Sequence, residues 1–248
     1  MNQCKIHIDK ISFIYKFNHL QLCMVQKVTV IIPTFNEEKT IEQIIRKVRP
    51  YADEVLVAGA RKSTDRTIEI AKRLGAATVI DDGRGKGSGM RFGARKSKGD
   101  IIVFIDADGS HIPRDIPKLV RPIKQGRADL VVASRMLGGS EELHTKISEI
   151  VRMNLGLMIN LVINYRFGQS ISDSQNGFRA IRRKVFLDLD TKATKFNIET
   201  EISMKCAKMG YKILEIPSRE LRRKHGKSGI KLWKTGWYYM GTIIKNIW

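Results

Sequence analysis

IIVFIDADGS, at positions 101–110, carries the strongest structural signal in this 248-residue chain. Its first five residues are apolar and mostly β-branched, which is typical of a strand covered on both faces by helices. Asp106 and Asp108 follow the strand, with Ala107 between them. Side chains i and i+2 of an extended segment point to one side, so both carboxylates are predicted to face one crevice at the sheet edge.

Similar apolar runs recur along the chain and alternate with segments of helical period. Strands are predicted at Val28–Ile32, Glu54–Val57, Ala77–Ile80, Ile101–Ile105, Leu130–Ala133 and Lys212–Ile216. Helices are predicted at Glu37–Val48, Thr64–Leu74, Arg91–Lys96, Ile147–Ile163 and Ile198–Lys208. This alternation implies an α/β, Rossmann-like fold with a mostly parallel central sheet flanked by helices.

Two carboxylates that share a crevice need a cation between them. Ligands that are all oxygen favour Mg²⁺ or Mn²⁺, which would also bridge to the phosphates of a substrate. We therefore predict a metal site at Asp106 and Asp108, with Ser110 as a further candidate ligand. The alternative is a solvated loop in which two acids follow a strand.

The composition indicates an anionic partner. Forty-five Lys and Arg against 25 Asp and Glu give a formal net charge of +20, which attracts anions. The basic residues are spread along the chain and no nucleic-acid-binding module is recognisable, so we expect no nucleic-acid partner.

Cys4, Cys23 and Cys206 have no metal-ligand spacing, which indicates a reducing compartment. No apolar run is long enough to predict a membrane-spanning helix.

Three segments are predicted. Residues 1–25 are expected to lie outside the fold, with Met24 as an alternative translation start, and residues 26–229 form one domain. Residues 230–248 are predicted to form an amphipathic helix at a membrane interface. At 100° per residue one face of this helix carries Trp233, Trp237, Met240, Ile244, Ile247 and Trp248, with Lys231, Lys234 and Lys245 beside it. An aromatic face flanked by lysines suits an anionic membrane surface, although a last helix packed on the core is the alternative.

A glycine-rich turn, GRGKGSG at 83–89, follows the third predicted strand. Glycines allow backbone N–H groups to approach an anion, and Lys86 adds a positive charge. The turn matches neither the phosphate-binding loop of nucleotide triphosphatases nor the dinucleotide fingerprint. A flexible surface turn is the alternative.

Together with IIPTFNEE at 31–38, these motifs resemble, in the same order, family 2 glycosyltransferases of the GT-A fold. The resemblance covers residues 26–230 and is closest to dolichol-phosphate and other polyprenol-phosphate mannosyl- and glucosyltransferases. Further matching stretches are VVASR at 131–135, DSQNGFRA at 173–180, FNIETE at 196–201 and RRKHGKS at 222–228. The resemblance implies inverting transfer of a hexose (mannose or glucose) from a GDP- or UDP-sugar to a polyprenyl phosphate. It also implies a peripheral protein at the cytoplasmic face of the membrane, with a membrane-protein subunit as a candidate partner.

The resemblance assigns roles to residues of this chain. Nucleotide-sugar binding is expected of Pro33, Phe35, Glu37, Asp65, Lys86, Asp106, Ala107, Asp108, Arg222 and Lys227. Acceptor-phosphate binding is expected of Arg135, Arg152, Arg179 and Ser228. The catalytic group is Asp106, Asp108, Arg135 and Asp173, with Asp173 as the base if the acceptor is an alcohol. A phosphate acceptor is already anionic near neutral pH and needs positioning more than deprotonation.

One departure from the family pattern concerns the nucleobase. Relatives place an Asp that recognises the base after the second strand, where this chain has Ala58 and Gly59. Base recognition is therefore expected to be altered. A family 2 transferase with a glycan alcohol acceptor and a catalytically inactive, membrane-associated relative stay open as alternatives.

Overall fold

A seven-stranded sheet forms the centre of the computed structural model, which describes residues 26–141, 147–223 and 232–247. The strands are β1 (Val28–Thr34), β2 (Glu54–Gly59), β3 (Ala77–Ile80), β4 (Ile101–Phe104), β5 (Leu130–Ser134), β6 (Arg179–Arg182) and β7 (Ile213–Pro217). They lie in the order β3-β2-β1-β4-β6-β5-β7, and all pairings are parallel except those of β6. The predicted, mostly parallel α/β sheet is confirmed.

Helices cover both faces of the sheet. They are α1 (Ile41–Val48), α2 (Thr67–Arg73), α3 (Lys86–Lys96), α4 (Ile116–Lys124), α5 (Arg135–Gly138), α6 (Ile147–Phe167), α7 (Arg183–Asp188), α8 (Ile198–Lys208) and α9 (Leu232–Asn246). In α1 the apolar residues recur at i, i+3, i+4 and i+7, so that one stripe of Ile41, Ile44, Ile45 and Val48 is buried. One core cluster on each face of the sheet results.

Strand β6 was missed by the sequence analysis. It has four residues, begins and ends with an arginine, and therefore shows no strand pattern. It runs antiparallel to β4, with Arg179 opposite Phe104 and Arg182 opposite Ile101. Because β6 is reversed, the loop that precedes it, rather than the loop that follows it, lies at the carboxyl ends of the parallel strands.

Helix α4 was also missed, and its prolines explain why. Pro117 lies in the first turn, where a missing N–H costs nothing, and Pro122 lies close to the C-terminal end. Helix α3 was predicted too short, since it starts at Lys86 within the glycine-rich stretch.

Two long helices lie over the carboxyl end of the sheet. Ile159 and Ile163 of α6 belong to a small core cluster against which Tyr239 and Ile243 of α9 pack. Within the described residues, no helix has the length and apolar character needed to cross a membrane. The predicted extension at residues 1–25 lies outside the described residues.

Candidate active site

A cavity of about 740 Å³ opens at the carboxyl ends of the parallel strands. Its polar floor comes from the loops after β1, β2, β3, β4 and β5 and from the loop before β6, and α6 and α9 supply apolar walls. The structure brings to this cavity the predicted residues Pro33, Phe35, Glu37, Lys86, Asp106, Ala107, Asp108, Ser110, Arg135 and Asp173. The expected position of the site is thereby supported by geometry.

Asp106, Lys86 and Glu199 form a compact charge cluster. The Lys86 ammonium lies 2.6 Å from Asp106 Oδ1 and 2.8 Å from Glu199 Oε1. Burial opposes ionisation of both Asp106 and Lys86. Their mutual attraction more than offsets it, so the pKa of Asp106 is held well below its usual range and the pKa of Lys86 above its own. Both groups are therefore charged at neutral pH.

Two glycines make this cluster possible. A Cβ on Gly177 would lie 2.6 Å from Lys86 Nζ and 2.8 Å from Asp106 Oδ2, so any side chain there would displace the ion pair. A Cβ on Gly87 would collide with the backbone carbonyl of Ala193, against which the start of α3 packs. Gly87, in the turn that was expected to approach an anion, thus helps to bring Lys86 into the cavity, and Gly177, in the loop before β6, leaves room for its ion pair.

Asp108 is held by its own loop. Its Oδ1 accepts hydrogen bonds from the Ser110 backbone N–H at 3.0 Å and from the Ser110 hydroxyl at 2.7 Å. Its Oδ2 lies 3.6 Å from Nη1 of Arg223. Ser110 therefore orients the Asp108 carboxylate, and its role as a metal ligand stays a prediction.

The acids around Asp108 fit a divalent cation. Burial raises the pKa of Glu37, and repulsion from Asp108 and Asp106 raises it further, which marks a negative potential at this end of the cavity. No group of three His, Cys, Asp or Glu in the described parts of the chain is arranged as a metal site. Carboxylate oxygens of this kind fit an Mg²⁺ or Mn²⁺ ion that takes part of its coordination from substrate phosphates and water.

A second polar cluster lies where the loop before β6 meets the end of β5. Arg135 contacts Asp173 through two side-chain bonds, Nε to Oδ2 at 2.7 Å and Nη2 to Oδ1 at 2.8 Å. Arg135 Nη1 also lies 3.5 Å from Glu220. Burial opposes both charges, but the ion pair lowers the pKa of Asp173 and raises that of Arg135. Asp173 is therefore a weak base in this structure, contrary to its predicted role with an alcohol acceptor.

The predicted phosphate contact of Arg179 does not fit its position. Its side chain is fully buried. Its guanidinium donates to the carbonyl oxygens of Asn176 and Glu199, both at 2.9 Å, and of Ser174 at 3.0 Å. Arg179 therefore holds the loop before β6 through its backbone carbonyl groups and has no donor directed at the cavity.

Two further predictions need correction. Asp65 does not line the cavity: its carboxylate accepts from the Glu38 backbone N–H at 2.9 Å and from the Thr67 hydroxyl at 2.6 Å, and so joins two loops. Arg222 is exposed, whereas its neighbour Arg223 lines the cavity and faces Asp108. The side chains of Arg152, Lys227 and Ser228 lie outside the described residues.

Glu199, Arg223 and His111 are among the cavity residues that had no predicted role. Glu199 belongs to the FNIETE stretch, and Arg223 to the basic RRKHGKS stretch, but neither was assigned. His111 stacks on Phe178 at 5.2 Å between ring centroids, and its Nε2 lies 3.6 Å from Asp106 Oδ2. Its place in the loop after β4, five residues beyond Asp106, is the signal that could have identified it.

Comparison with known proteins agrees with this architecture. The family model described as "Glycosyl transferase family 2" matches residues 29–190, more than half of the chain. A dolichol-phosphate mannosyltransferase of Pyrococcus furiosus is 30% identical, with 88% of this chain and 63% of that protein covered. An undecaprenyl-phosphate mannosyltransferase of Micrococcus luteus is 27% identical, with coverage of 82% and 86%.

The fold is also that of solved structures. Glucosyl-3-phosphoglycerate synthase from Mycobacterium tuberculosis, solved with Mn²⁺, UDP and glucosyl-3-phosphoglycerate, has a TM-score of 0.70 at 23% identity, covering 90% of this chain and 80% of that one. This chain spans about half to two thirds of the length of several relatives that it matches. The chain belongs to family 2 of the glycosyltransferases and has the GT-A fold that its sequence predicted.

Proposed function

We propose that this protein transfers a hexose, mannose or glucose, from a GDP- or UDP-sugar to a polyprenyl phosphate with inversion of configuration. One observation carries the proposal: a single cavity combines a charged floor suited to phosphates with apolar walls that continue onto the protein surface. A soluble sugar acceptor would need no such walls.

The charged floor fits a nucleoside diphosphate as the leaving group. Negative charge grows on the diphosphate as the bond to the sugar breaks, and preoriented cations stabilise it. Lys86 is held in place by Asp106 and Glu199, and Arg223 lies 3.6 Å from Asp108. A bound Mg²⁺ or Mn²⁺ at Asp106 and Asp108 would add Lewis-acid stabilisation of the same phosphates.

The second cluster fits an acceptor that needs no base. An alcohol must lose a proton as it attacks, which requires a carboxylate or imidazole able to take it up. Asp173 is committed to Arg135 and has a lowered pKa. A phosphomonoester is already an anionic nucleophile, so Arg135 at the cavity wall would position it rather than activate it.

The names of the relatives support a phosphate acceptor. Two matched proteins are named for dolichol phosphate and undecaprenyl phosphate, and the structural neighbour from Mycobacterium tuberculosis was solved with a phosphoglyceric acid. These acceptors share a phosphate and differ in whether a lipid is attached. The apolar walls favour the lipid. A membrane-protein partner subunit stays a prediction.

The test is a transfer assay with radiolabelled GDP-mannose, GDP-glucose, UDP-mannose and UDP-glucose, with Mn²⁺ or Mg²⁺ and polyprenyl phosphate in vesicles. We expect radiolabel to appear in the lipid fraction with one of the donors. No label should appear there when EDTA is present during the reaction. The matched control is the same polyprenol without its phosphate, which should accept no sugar. Label found only in a soluble acceptor such as 3-phosphoglycerate or an oligosaccharide would contradict the lipid assignment.

The apolar face of α6 and α9 supports a membrane setting. Leu161 on α6 is 68% exposed and Trp237 on α9 is 76% exposed. Met158 and Met240 are exposed as well, and both also line the cavity. The cavity therefore opens into an apolar surface, which a lipid bilayer would cover, and the chain's charge of +20 favours an anionic one.

A double substitution, Leu161→Glu with Trp237→Glu, should weaken binding to vesicles containing anionic phospholipid by about tenfold or more, because two apolar side chains proposed to enter the bilayer become charged. Cosedimentation with the vesicles measures this. Leu187→Glu is the control, since Leu187 is exposed on α7, at the opposite end of the sheet. An equal loss of vesicle binding in both variants would show that the added negative charge, and not the apolar face of α6 and α9, governs binding.

A further inference from the structure

The cavity has a second end, remote from the charge cluster at Lys86. It lies at the carboxyl ends of β2 and β3 and is lined by Ala58, Ala60 and Asp81. In the sheet order β3-β2-β1-β4, three strand spacings separate β3 from the strand that leads to Asp106. At roughly 4.8 Å a spacing this is about 14 Å, a separation that a nucleoside diphosphate bridges when its phosphates lie at Asp106.

Asp81 is the carboxylate at this end. It follows β3 directly and is only 3% exposed, yet it lines the cavity. Its Oδ1 accepts hydrogen bonds from the backbone N–H groups of Gly83 at 2.6 Å and Arg61 at 3.2 Å. No hydrogen bond to Oδ2 is found among the described residues. A carboxylate oxygen is a strong hydrogen-bond acceptor, so this one is available to a donor in the cavity.

Gly89 keeps a side chain away from Asp81 Oδ2. A Cβ at Gly89 would lie 3.1 Å from Asp81 Oδ2, so glycine keeps the side of the carboxylate open. The neighbouring Ala58 and Ala60 have no polar side-chain atoms. Asp81 is therefore the carboxylate available to a base at this end, in the place of the acids that this chain lacks after β2.

We propose that Asp81 recognises the nucleobase of the donor and that the base is guanine. This rests on the proposed function, since it presupposes a nucleotide-sugar donor. Guanine presents two adjacent donors, N1–H and the amino group at C2, which suit a carboxylate acceptor. Uracil presents one N–H between two carbonyl oxygens, both of which repel a carboxylate. The donor sugar is accordingly carried by GDP.

The experiment compares the affinities of GDP, UDP and xanthosine diphosphate by calorimetry with Mg²⁺, for the full chain and two variants. GDP should bind about tenfold or more tightly than UDP. Asp81→Asn keeps an oxygen for the Gly83 and Arg61 N–H groups but presents an amide N–H₂ to the base. We expect it to bind GDP about tenfold or more weakly and to gain affinity for xanthosine diphosphate, which has a carbonyl oxygen at C2.

Asp82→Asn is the matched control, because Asp82 bonds Arg84 and Ser88 and does not line the cavity. It should leave the GDP-to-UDP ratio unchanged. Equal unfolding temperatures of the unliganded proteins establish that both variants fold. A wild-type protein that binds UDP as tightly as GDP, or an Asp81→Asn variant that keeps the wild-type preference, overturns the inference and leaves the proposed function standing. Failure of every nucleotide to bind overturns both.

Discussion

Asp108→Asn should lower the rate of sugar transfer by about a thousandfold or more, because the lost carboxylate is the one proposed to hold the divalent ion that would stabilise the departing diphosphate. Asparagine keeps an oxygen that can accept from Ser110, so the loop retains its shape. It offers no charge to Arg223 or to a divalent ion. The measurement is kcat at saturating donor and acceptor, together with the dependence of the rate on Mn²⁺ concentration.

A suitable control is Asp190→Asn. Asp190 lies on the surface with a φ of 43°, a backbone conformation that asparagine also adopts readily. Its ion pair with Lys192 is exposed, so the activity should stay within about twofold. Transfer by Asp108→Asn at a tenth of the wild-type rate or faster would show that this carboxylate is not part of the catalytic machinery.

Arg179→Met should destabilise the fold by about 3–5 kcal/mol while leaving the acceptor KM of the folded protein nearly unchanged. The substitution removes the donors for the carbonyl oxygens of Ser174, Asn176 and Glu199, which remain buried, and each unmade bond costs about 1–3 kcal/mol. Denaturant unfolding gives the free energy. Arg121→Met, at an exposed position of α4, should change it by less than about 0.5 kcal/mol.

The same two measurements would also detect a role of Arg179 in acceptor binding. If Arg179→Met raised the KM for polyprenyl phosphate strongly and left the free energy of unfolding unchanged, Arg179 would contact the acceptor, as the sequence resemblance implied. The two readouts therefore separate a residue that supports the loop from one that binds substrate.

The parallel strands could be predicted from the sequence because each is marked by its own run of apolar residues. Apolar runs such as 101–105 indicate strands covered on both faces by helices. Acidic residues that follow such a strand lie at its carboxyl end, where ligands bind. The same rule placed Asp106 and Asp108 in the cavity. The strand β6 gave no such signal, since its four residues are defined by partners in β4 and β5 rather than by their own pattern.

Side-chain partnerships were the least predictable part of the site. Arg135 pairs with Asp173 at a sequence separation of 38 residues, and Lys86 with Glu199 across a larger one. Such pairs depend on how loops from distant elements meet, which no spacing in the sequence encodes. For the same reason the sequence could not tell that Arg179 lies beneath the cavity and Arg223 within it.

The cavity wall is built from two stretches of the chain, one that ends at His111 and one that starts at Arg135 and includes the loop before the reversed strand β6. The side with Asp81, Lys86, Asp106 and Asp108, which we propose faces the nucleotide, is encoded before residue 112. The side with Arg135, Asp173 and the apolar helices is encoded after residue 134. The pairing of β4 with β6 joins the two stretches, as do contacts such as those of Lys86 with Glu199 and Asp108 with Arg223. Recombination between relatives could therefore exchange the later stretch only where its contacts with the earlier one are kept.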